Sequence, residues 1–193
     1  MDNLFLDLND LKHLGNGAII GKTVRIRRPD ETIIKDYSII DDFTYISCAL
    51  ETGSYCHVAS HVTLSGGKGK ITLGDCVGIA TGCSIHTATS DYLSATLFIP
   101  SIPEEIQFGG AVEDVEIGNH VLLGAHSIIM PGVHLPDGFA CGAATIIRKF
   151  DYEPWTFYAG YDCKKVLKRN TTQLRKKSAA LTQIGLKPPL GPM

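Results

Sequence analysis

The sequence predicts an all-β protein, built as a solenoid of short parallel strands. Three observations support this fold class: a six-residue period of aliphatic residues, compact residues at the fifth position of most units, and glycine at the second position of several units. A period of six fits neither the 3.6-residue turn of a helix nor the two-residue alternation of a long strand. It fits short strands joined by tight corners, with the first and fifth residues of each unit turned into a core.

Sixteen six-residue units, or hexads, organise the middle of the chain. Their first residues are Ile34, Ile40, Ile46, Thr52, Val58, Leu64, Leu73, Ile79, Ile85, Ala111, Ile117, Leu123, Ile129, Leu135, Cys141 and Ile147. Thirteen of these sixteen are Ile, Leu or Val, and among the fifth residues only the last, Asp151, is charged. Ordinary antiparallel strands with turns are the alternative, but such a fold would not hold an unbroken six-residue register.

The ends of a solenoid expose its core and its strand backbones, so both ends need a cap. We therefore predict an N-terminal cap over residues 1–33, a solenoid over residues 34–152 and a C-terminal cap and tail over residues 153–193. A loop at residues 91–110 interrupts the solenoid. In the C-terminal segment, TTQLRKKSAALTQIGL predicts a helix and KPPLGPM predicts a frayed end.

The composition excludes several classes of partner. Because 18 Lys and Arg oppose 20 Asp and Glu, the net charge of −2 offers no excess to attract nucleic acid. No apolar run approaches the roughly 18 to 20 residues that span a bilayer, and the first ten residues carry acids where a signal peptide needs bases. We expect a cytoplasmic protein without a membrane or nucleic-acid partner, and its six scattered cysteines are expected to remain thiols.

Two interruptions of the repeat predict where function lies, since loops on a rigid scaffold are its usual place. One is a three-residue extension within SGGKGK, and the other is the loop DYLSATLFIPSIPEEIQFGG. If every third hexad lies on the same face, the units that begin at these residues stack: Ile46, Leu64, Ile85, Leu123 and Cys141. The extended unit then lies beside the unit that holds His86, which lies beside the unit that holds His126. This convergence predicts a site.

The pattern [LIV]-G-x-x-[STAV]-x resembles the repeat of the left-handed parallel β-helix acyltransferases. The resemblance covers residues 34–169 and is strongest in VEIGNHVLLGAHSIIMPGVHLPDGFACGAATIIRKFDYEPWTFYAG. It implies left-handed winding and three hexads per coil, and hence a left-handed parallel β-helix of about five coils. It also implies acetyl-CoA as co-substrate, no metal, and a homotrimer whose donor channel lies between subunits.

The segment IHTATSDY assigns the acceptor side of the site. In many sugar and xenobiotic acetyltransferases of this class a catalytic histidine follows T-A-T, and Ser90 stands at that position here. The run Ser90-Asp91-Tyr92 before the long loop resembles instead the enzymes that N-acetylate a nucleotide-linked 4-amino-4,6-dideoxyhexose. From the predicted stacking and this resemblance together, we expect His86 and Asp91 to be catalytic, and Ser90, Tyr92 and His126 to bind the acceptor.

The same resemblance assigns the donor side. Small residues of the later coils admit the pantetheine arm of acetyl-CoA in the family, and basic residues reach its phosphates. The corresponding cofactor-binding residues are Gly124, Ala125, Gly142, Ala143, Lys149 and Lys165, with Ala144 and Arg169 beside them. The family stretch P-W-x-x-x-x-G-x-P-A is matched at Trp155 and Gly160, whereas Asp162-Cys163 replaces its final P-A.

These features predict an acetyltransferase that moves an acetyl group from acetyl-CoA to the amino group of a nucleotide-linked amino-deoxyhexose. One such acceptor is dTDP-4-amino-4,6-dideoxyglucose, used in surface polysaccharide (O-antigen) biosynthesis. No activated nucleophile is recognisable, so direct transfer without an acyl-enzyme is expected. The alternatives are a sugar O-acetyltransferase, a metal-dependent hydratase like the carbonic anhydrases that share this fold, and an inert β-helix that presents its loop to a partner.

Overall fold

Residues 3–186 are described by the computed structural model, and most of them form stacked coils of short parallel strands. Three sheets make the three faces of the solenoid. The first face contains β1 (His13–Leu14), β4 (Thr32–Ile34), β7 (Ala49–Glu51), β10 (Lys70–Leu73), β15 (Val115–Ile117) and β18 (His134–Leu135). The predicted all-β solenoid is confirmed.

The other two faces repeat the arrangement. The second face contains β2 (Ile19–Ile20), β5 (Ile39–Ile40), β8 (His57–Val58), β11 (Gly78–Ile79), β16 (Leu122–Leu123), β19 (Ala140–Cys141), β21 (Thr156–Ala159) and β22 (Lys164–Lys168). The third face contains β3 (Arg25–Ile26), β6 (Tyr45–Ile46), β9 (Thr63–Ser65), β12 (Ser84–His86), β17 (Ile128–Ile129) and β20 (Ile146–Ile147). Neighbours in these faces pair in parallel, except that β21 and β22 are antiparallel.

The hexads fill the core as the sequence predicts. Fifteen of the sixteen first residues are at most 5% exposed, and the exception is Ala111. The fifth residues are likewise buried, apart from Thr89 and Asp151. Because each coil adds the same two inward positions, the core is one continuous column of aliphatic side chains with small polar residues between them.

One corner of the solenoid is held by a ladder of side-chain caps. The carboxylate of Asp36 accepts the backbone N–H of Asn16 at 2.8 Å, and that of Asp75 accepts the N–H of Ser54 at 2.9 Å. The carboxylate of Asp137 accepts the N–H of Asn119 at 2.7 Å. Each cap satisfies a corner amide of the coil before it, which explains why Asp or Asn recurs at the third position of these hexads.

Parallel pairing begins at His13, earlier than the predicted boundary at residue 34, because β1, β2 and β3 belong to the three faces. Before them lies the 3₁₀ helix Leu8–Asp10. The six-residue spacing does continue upstream, at Leu14, Ile20 and Ile26. Eight residues then separate Ile26 from the next unit, because the 3₁₀ helix Pro29–Glu31 is inserted there, and this break hid the first coil.

The far end is closed by aromatic packing and a hairpin. The buried ring of Phe139 stacks on Tyr158 and meets Tyr152 edge-on, with centroids 5.0 Å apart in both pairs. Two short helices follow, α1 (Thr172–Lys176) and α2 (Ser178–Gln183), where the sequence predicts one. Neither helix is long and apolar enough to cross a membrane. The predicted frayed end, residues 187–193, lies outside the described residues.

The predicted stacking order fails beyond β12. On the third face β12 is followed by β17, so Ile85 lies beside Ile129, whereas Leu123 belongs to the second face. The reason is that Ala111 does not begin a coil. It lies on β14 (Gly110–Val112), which pairs antiparallel with β13 (Ala88–Ser90) to form the base of the long loop. Counting it as a hexad shifted every later unit by one face.

Candidate active site

The long loop leaves the corner between the third and first faces. Its two ends are joined by the β13–β14 pair and by the N–H of Asp91, which donates to the carbonyl of Gly109 at 2.7 Å. Near its far end the 3₁₀ helix Glu104–Ile106 contacts the extended turn through an ion pair between Glu104 and Lys68. The two interruptions of the repeat therefore meet, as the sequence predicts.

The loop exposes an unusual amount of apolar surface. Its large exposed apolar side chains are Tyr92, Leu93, Leu97, Ile99, Ile106 and Phe108. Leu93 is 99% exposed and Tyr92 is 86% exposed. Single exposed apolar residues are ordinary, but six within one loop form a surface of the kind that binds a ligand or another chain.

His86 ends strand β12 at the same corner. Its Nδ1 lies 2.9 Å from the hydroxyl oxygen of Ser65, the residue that pairs with it in register on β9. The imidazole is half-buried, and this partial burial lowers the pKa of His86 below the usual value for histidine. The ring is therefore neutral near pH 7 and has one nitrogen with a free lone pair, as a proton acceptor requires.

The turn beside His86 has a shape that only glycine allows. Gly66 has φ of +135° and packs against the hydroxyl of the fully buried Thr87, so a Cβ there would overlap the Thr87 side chain. The Thr87 hydroxyl donates to the carbonyl of Ser65 at 3.3 Å, and the Thr87 N–H donates to the same oxygen at 2.8 Å. These contacts fix Ser65 relative to His86.

Asp91 is exposed at the start of the loop. Its carboxylate accepts the N–H of Leu93 at 2.9 Å, and hydrogen bonds from Leu93 and Ser94 lower the pKa of the Asp91 carboxyl. It therefore stays ionised and suits attraction of a cation better than acceptance of a proton. Ser90 is half-buried in β13, and Tyr92 extends into solvent. His86, Ser90, Asp91 and Tyr92 thus lie close in sequence around one corner.

His126 is not part of this cluster within one chain. It lies at the other corner of the third face, where its ring packs over Gly82 and its N–H donates to the carbonyl of Thr81 at 3.0 Å. Four residues separate this end of the strand from His86, a span of about 13 Å at extended spacing. The prediction that the unit with His126 adjoins that of His86 is wrong, because β14 had been counted as a coil.

The small donor-side residues do meet, at that second corner. The N–H of Ala144 donates to the carbonyl of Ala125 at 2.8 Å, and Gly124 approaches the backbone of Gly142 so closely that a Cβ would overlap it. Ala143 is exposed beside them. Apart from His126, these two coils carry only small side chains at this corner, which suits close approach of a narrow chain such as pantetheine.

The basic residues predicted for the donor lie elsewhere. Lys149 pairs with Glu113 at the His86 corner, and Lys165 donates to Glu153 at 2.5 Å on the edge of the second face. Lys165 and its neighbour Lys168 lower the pKa of Glu153 to about 2. Lys149 and Lys165 thus each have an acidic partner within the chain, and their contact with the phosphates of the donor stays a prediction.

Arg169 has a structural contact. Its guanidinium donates to the carbonyls of His120 at 2.9 Å and Gly138 at 2.8 Å, and it lies 5.7 Å from the centre of the Trp155 ring. Burial lowers the pKa of this guanidinium, which is consistent with its enclosed position. Arg169 and Trp155 thus fasten the segment after β22 to the last coils.

No cysteine of the described chain has the properties of a nucleophile. Burial raises the pKa of the Cys56 and Cys83 thiols to about 11, and that of Cys48 to about 12. None of the six cysteines forms a disulfide, and five of them are buried. Within residues 3–186, no three His, Cys, Asp or Glu side chains are grouped so as to hold a metal ion.

The chain matches a curated protein over nearly its whole length. No family model matches it. A dTDP-4-amino-4,6-dideoxy-D-glucose acyltransferase from Escherichia coli is 30% identical over 186 residues, covering 90% of this chain and 93% of the relative. The chain belongs to this acyltransferase family. A chloramphenicol acetyltransferase from Agrobacterium fabrum is 26% identical over 150 residues, covering 72% of this chain and 71% of that protein.

A solved structure of the family superposes on the chain. AntD, an N-acyltransferase from Bacillus cereus in complex with dTDP and 3-hydroxybutyryl-CoA, gives a TM-score of 0.84 at 27% identity, covering 95% of this chain and 99% of AntD. A mutant of AntD holds dTDP-4-amino-4,6-dideoxyglucose and coenzyme A, with a TM-score of 0.82. A maltose O-acetyltransferase from Clostridium difficile shares the fold alone, at 22% identity and a TM-score of 0.52.

These relatives confirm the predicted family and the predicted class of enzyme, an acyl-CoA-dependent N-acyltransferase. Sequence reasoning brought His86 to the corner of the long loop, but it did not identify Ser65 as the hydrogen-bond partner of His86. The signal that could have revealed it is the extension SGGKGK, because an insertion that begins directly after Ser65 marks the neighbour of His86 in the previous coil.

Proposed function

We propose that the protein transfers an acetyl group from acetyl-CoA to the 4-amino group of dTDP-4-amino-4,6-dideoxyglucose, or of a closely similar nucleotide-linked amino-deoxyhexose. The observation that carries the proposal is the match to the E. coli acyltransferase, which extends over 90% of this chain and 93% of that protein. The product belongs to surface polysaccharide (O-antigen) biosynthesis, and the reaction takes place in the cytoplasm.

Transfer is direct. The neutral amine attacks the thioester carbonyl carbon, a C–N bond forms, and the carbonyl oxygen becomes an oxyanion held by backbone N–H groups of the coils. The ammonium proton leaves to the free nitrogen of His86, the C–S bond breaks, and coenzyme A departs as a thiolate that is protonated in turn. The exposed carboxylate of Asp91 attracts and orients the amine, whose protonated form is a cation.

The test is release of coenzyme A thiol with acetyl-CoA against a panel of sugar nucleotides. Amino-deoxyhexoses with a 4-amino group should release thiol, and the matching 4-hydroxy sugars should not. Addition of 3-hydroxybutyryl-CoA to the panel tests the donor, since AntD was crystallised with that thioester. Thiol release with hydroxy sugars alone would contradict the proposal and favour an O-acetyltransferase.

The acceptor and donor regions support a homotrimer. His86 lies at the end of strand β12 and the exposed Ala143 lies just before strand β20, so the two residues are at opposite corners of the third face of one chain. A site that needs both corners is completed by a neighbouring chain. Light scattering should give about three times the 20.9 kDa of one chain. A fully active 20.9 kDa species at micromolar concentration would contradict it.

His86→Asn should lower turnover by tenfold or less if the acceptor is an amine. A sugar amine has a pKa of about 8, like an α-amino group, so a useful fraction is neutral at working pH and its proton can leave after attack. A hydroxyl acceptor needs a base in the transition state, which is worth about 10²- to 10⁴-fold. A thousandfold loss in kcat with unchanged acceptor binding would make His86 an obligatory base and would favour O-acetylation.

A further inference from the structure

We infer that Ser65 is a positioning residue, whose hydroxyl accepts the Nδ1–H of His86 and so directs the Nε2 lone pair toward the acceptor amine. The inference deepens the proposed function and rests on it for the identity of the acceptor. Ser65 touches neither reacting group. It acts through the 2.9 Å contact between its hydroxyl oxygen and Nδ1.

The backbone makes this contact rigid. Ser65 and His86 are register partners on the adjacent strands β9 and β12. Directly beyond them, the Thr87 N–H donates to the Ser65 carbonyl at 2.8 Å, and the buried Thr87 hydroxyl reaches the same oxygen. A serine placed by two strands and a buried neighbour cannot drift away from the ring, so the contact persists before substrate binds.

A neutral imidazole has two tautomers, and the proposed chemistry needs one of them. Nδ1 faces Ser65, so Nε2 is the nitrogen left for substrate. It accepts the amine proton only if Nδ1 carries the ring hydrogen, and the hydroxyl oxygen of Ser65 is then its acceptor. The alternative, in which Ser65 donates to Nδ1, would place a hydrogen on Nε2 and leave no base.

The charged groups near this corner have partners other than His86, and the exposed carboxylate of Asp91 accepts the N–H of Leu93. Lys68 on the turn pairs with Glu104 on the loop, and Lys149 pairs with Glu113 beyond Thr87. Desolvation is accordingly the cause of the lowered pKa of His86. The hydroxyl of Ser65 is therefore the group on these elements that selects between the tautomers.

The first test needs no substrate. In ¹⁵N NMR spectra of the full-length protein above pH 7, His86 should show the Nδ1–H tautomer, and Ser65→Ala should shift it toward the Nε2–H form that dominates in free histidine. Ser47→Ala is the matched control, because Ser47 lies one strand further from His86 and its N–H donates to the carbonyl of Leu64 at 2.9 Å. An Nε2–H tautomer in the unaltered protein would overturn the inference, whether or not the enzyme accepts amino sugars.

The second test uses turnover. Ser65→Ala should lower kcat about threefold to tenfold, the factor for one neutral hydrogen bond, with KM for acetyl-CoA unchanged. In the pH profile of kcat, the step that reports His86 lies below the step of the sugar amine, and it should move to lower pH because the imidazolium loses its acceptor. Ser65→Thr should retain activity, and Ser65→Ala should add nothing to His86→Asn. A shift of the His86 step to higher pH, or full additivity with His86→Asn, would overturn the inference.

Discussion

Replacing residues 93–108 by a short Gly-Ser turn should leave the solenoid folded and should lower kcat/KM for the nucleotide sugar by at least about a hundredfold. None of the replaced residues belongs to the buried core, and the β13–β14 pair that closes the base of the loop remains. The loop instead supplies exposed apolar side chains beside His86, where an acceptor must be held. Circular dichroism and thiol release measure the two effects separately.

A control variant separates the effect of the loop from the effect of its ion pair with Lys68. Lys68→Ala removes the contact between the extended turn and Glu104 but keeps the whole loop. Because both side chains are more than half exposed, this pair contributes about 1 kcal/mol or less, and activity should change by no more than a few-fold. Unfolding of the shortened protein would contradict the prediction and would make the loop part of the scaffold.

The fold was predictable from the sequence because a solenoid repeats one physical requirement. Each coil must place an aliphatic residue at the same inward position. Ile34 and Ile40 in the early coils are therefore buried in the same way as Ile129 and Ile147 in the later ones. Errors arose only where the period is interrupted. The inserted 3₁₀ helix Pro29–Glu31 hid the first coil, and β14 imitates a hexad, so the count of faces beyond it was wrong.

The site was predictable only in part. The extra unit counted at β14 brought His126 to the corner of His86, whereas His126 lies at the opposite corner of the third face. The spacing of residues along the sequence also does not show which side chains form ion pairs. Lys149 and Lys165 are basic residues near the later coils that form ion pairs with Glu113 and Glu153, and no period in the sequence indicates either pair.

Ala143→Trp should raise KM for acetyl-CoA by at least about tenfold and lower activity at low donor concentration in proportion, while the fold persists. Ala143 is exposed beside the closely packed Gly124 and Gly142, so an indole there projects outward without displacing the core. It would occupy the space that the small residues leave free, and a narrow donor arm cannot pass a bulky ring there.

Ala179→Trp, at an exposed position of α2, is the control for an added indole and should leave KM unchanged. Titration calorimetry with coenzyme A checks the same effect without acceptor. Unchanged affinity for coenzyme A in Ala143→Trp would mean that the donor does not bind at this corner. The conclusion is the same for a monomer and a trimer, because the indole would block the donor whichever chain forms the other side of its channel.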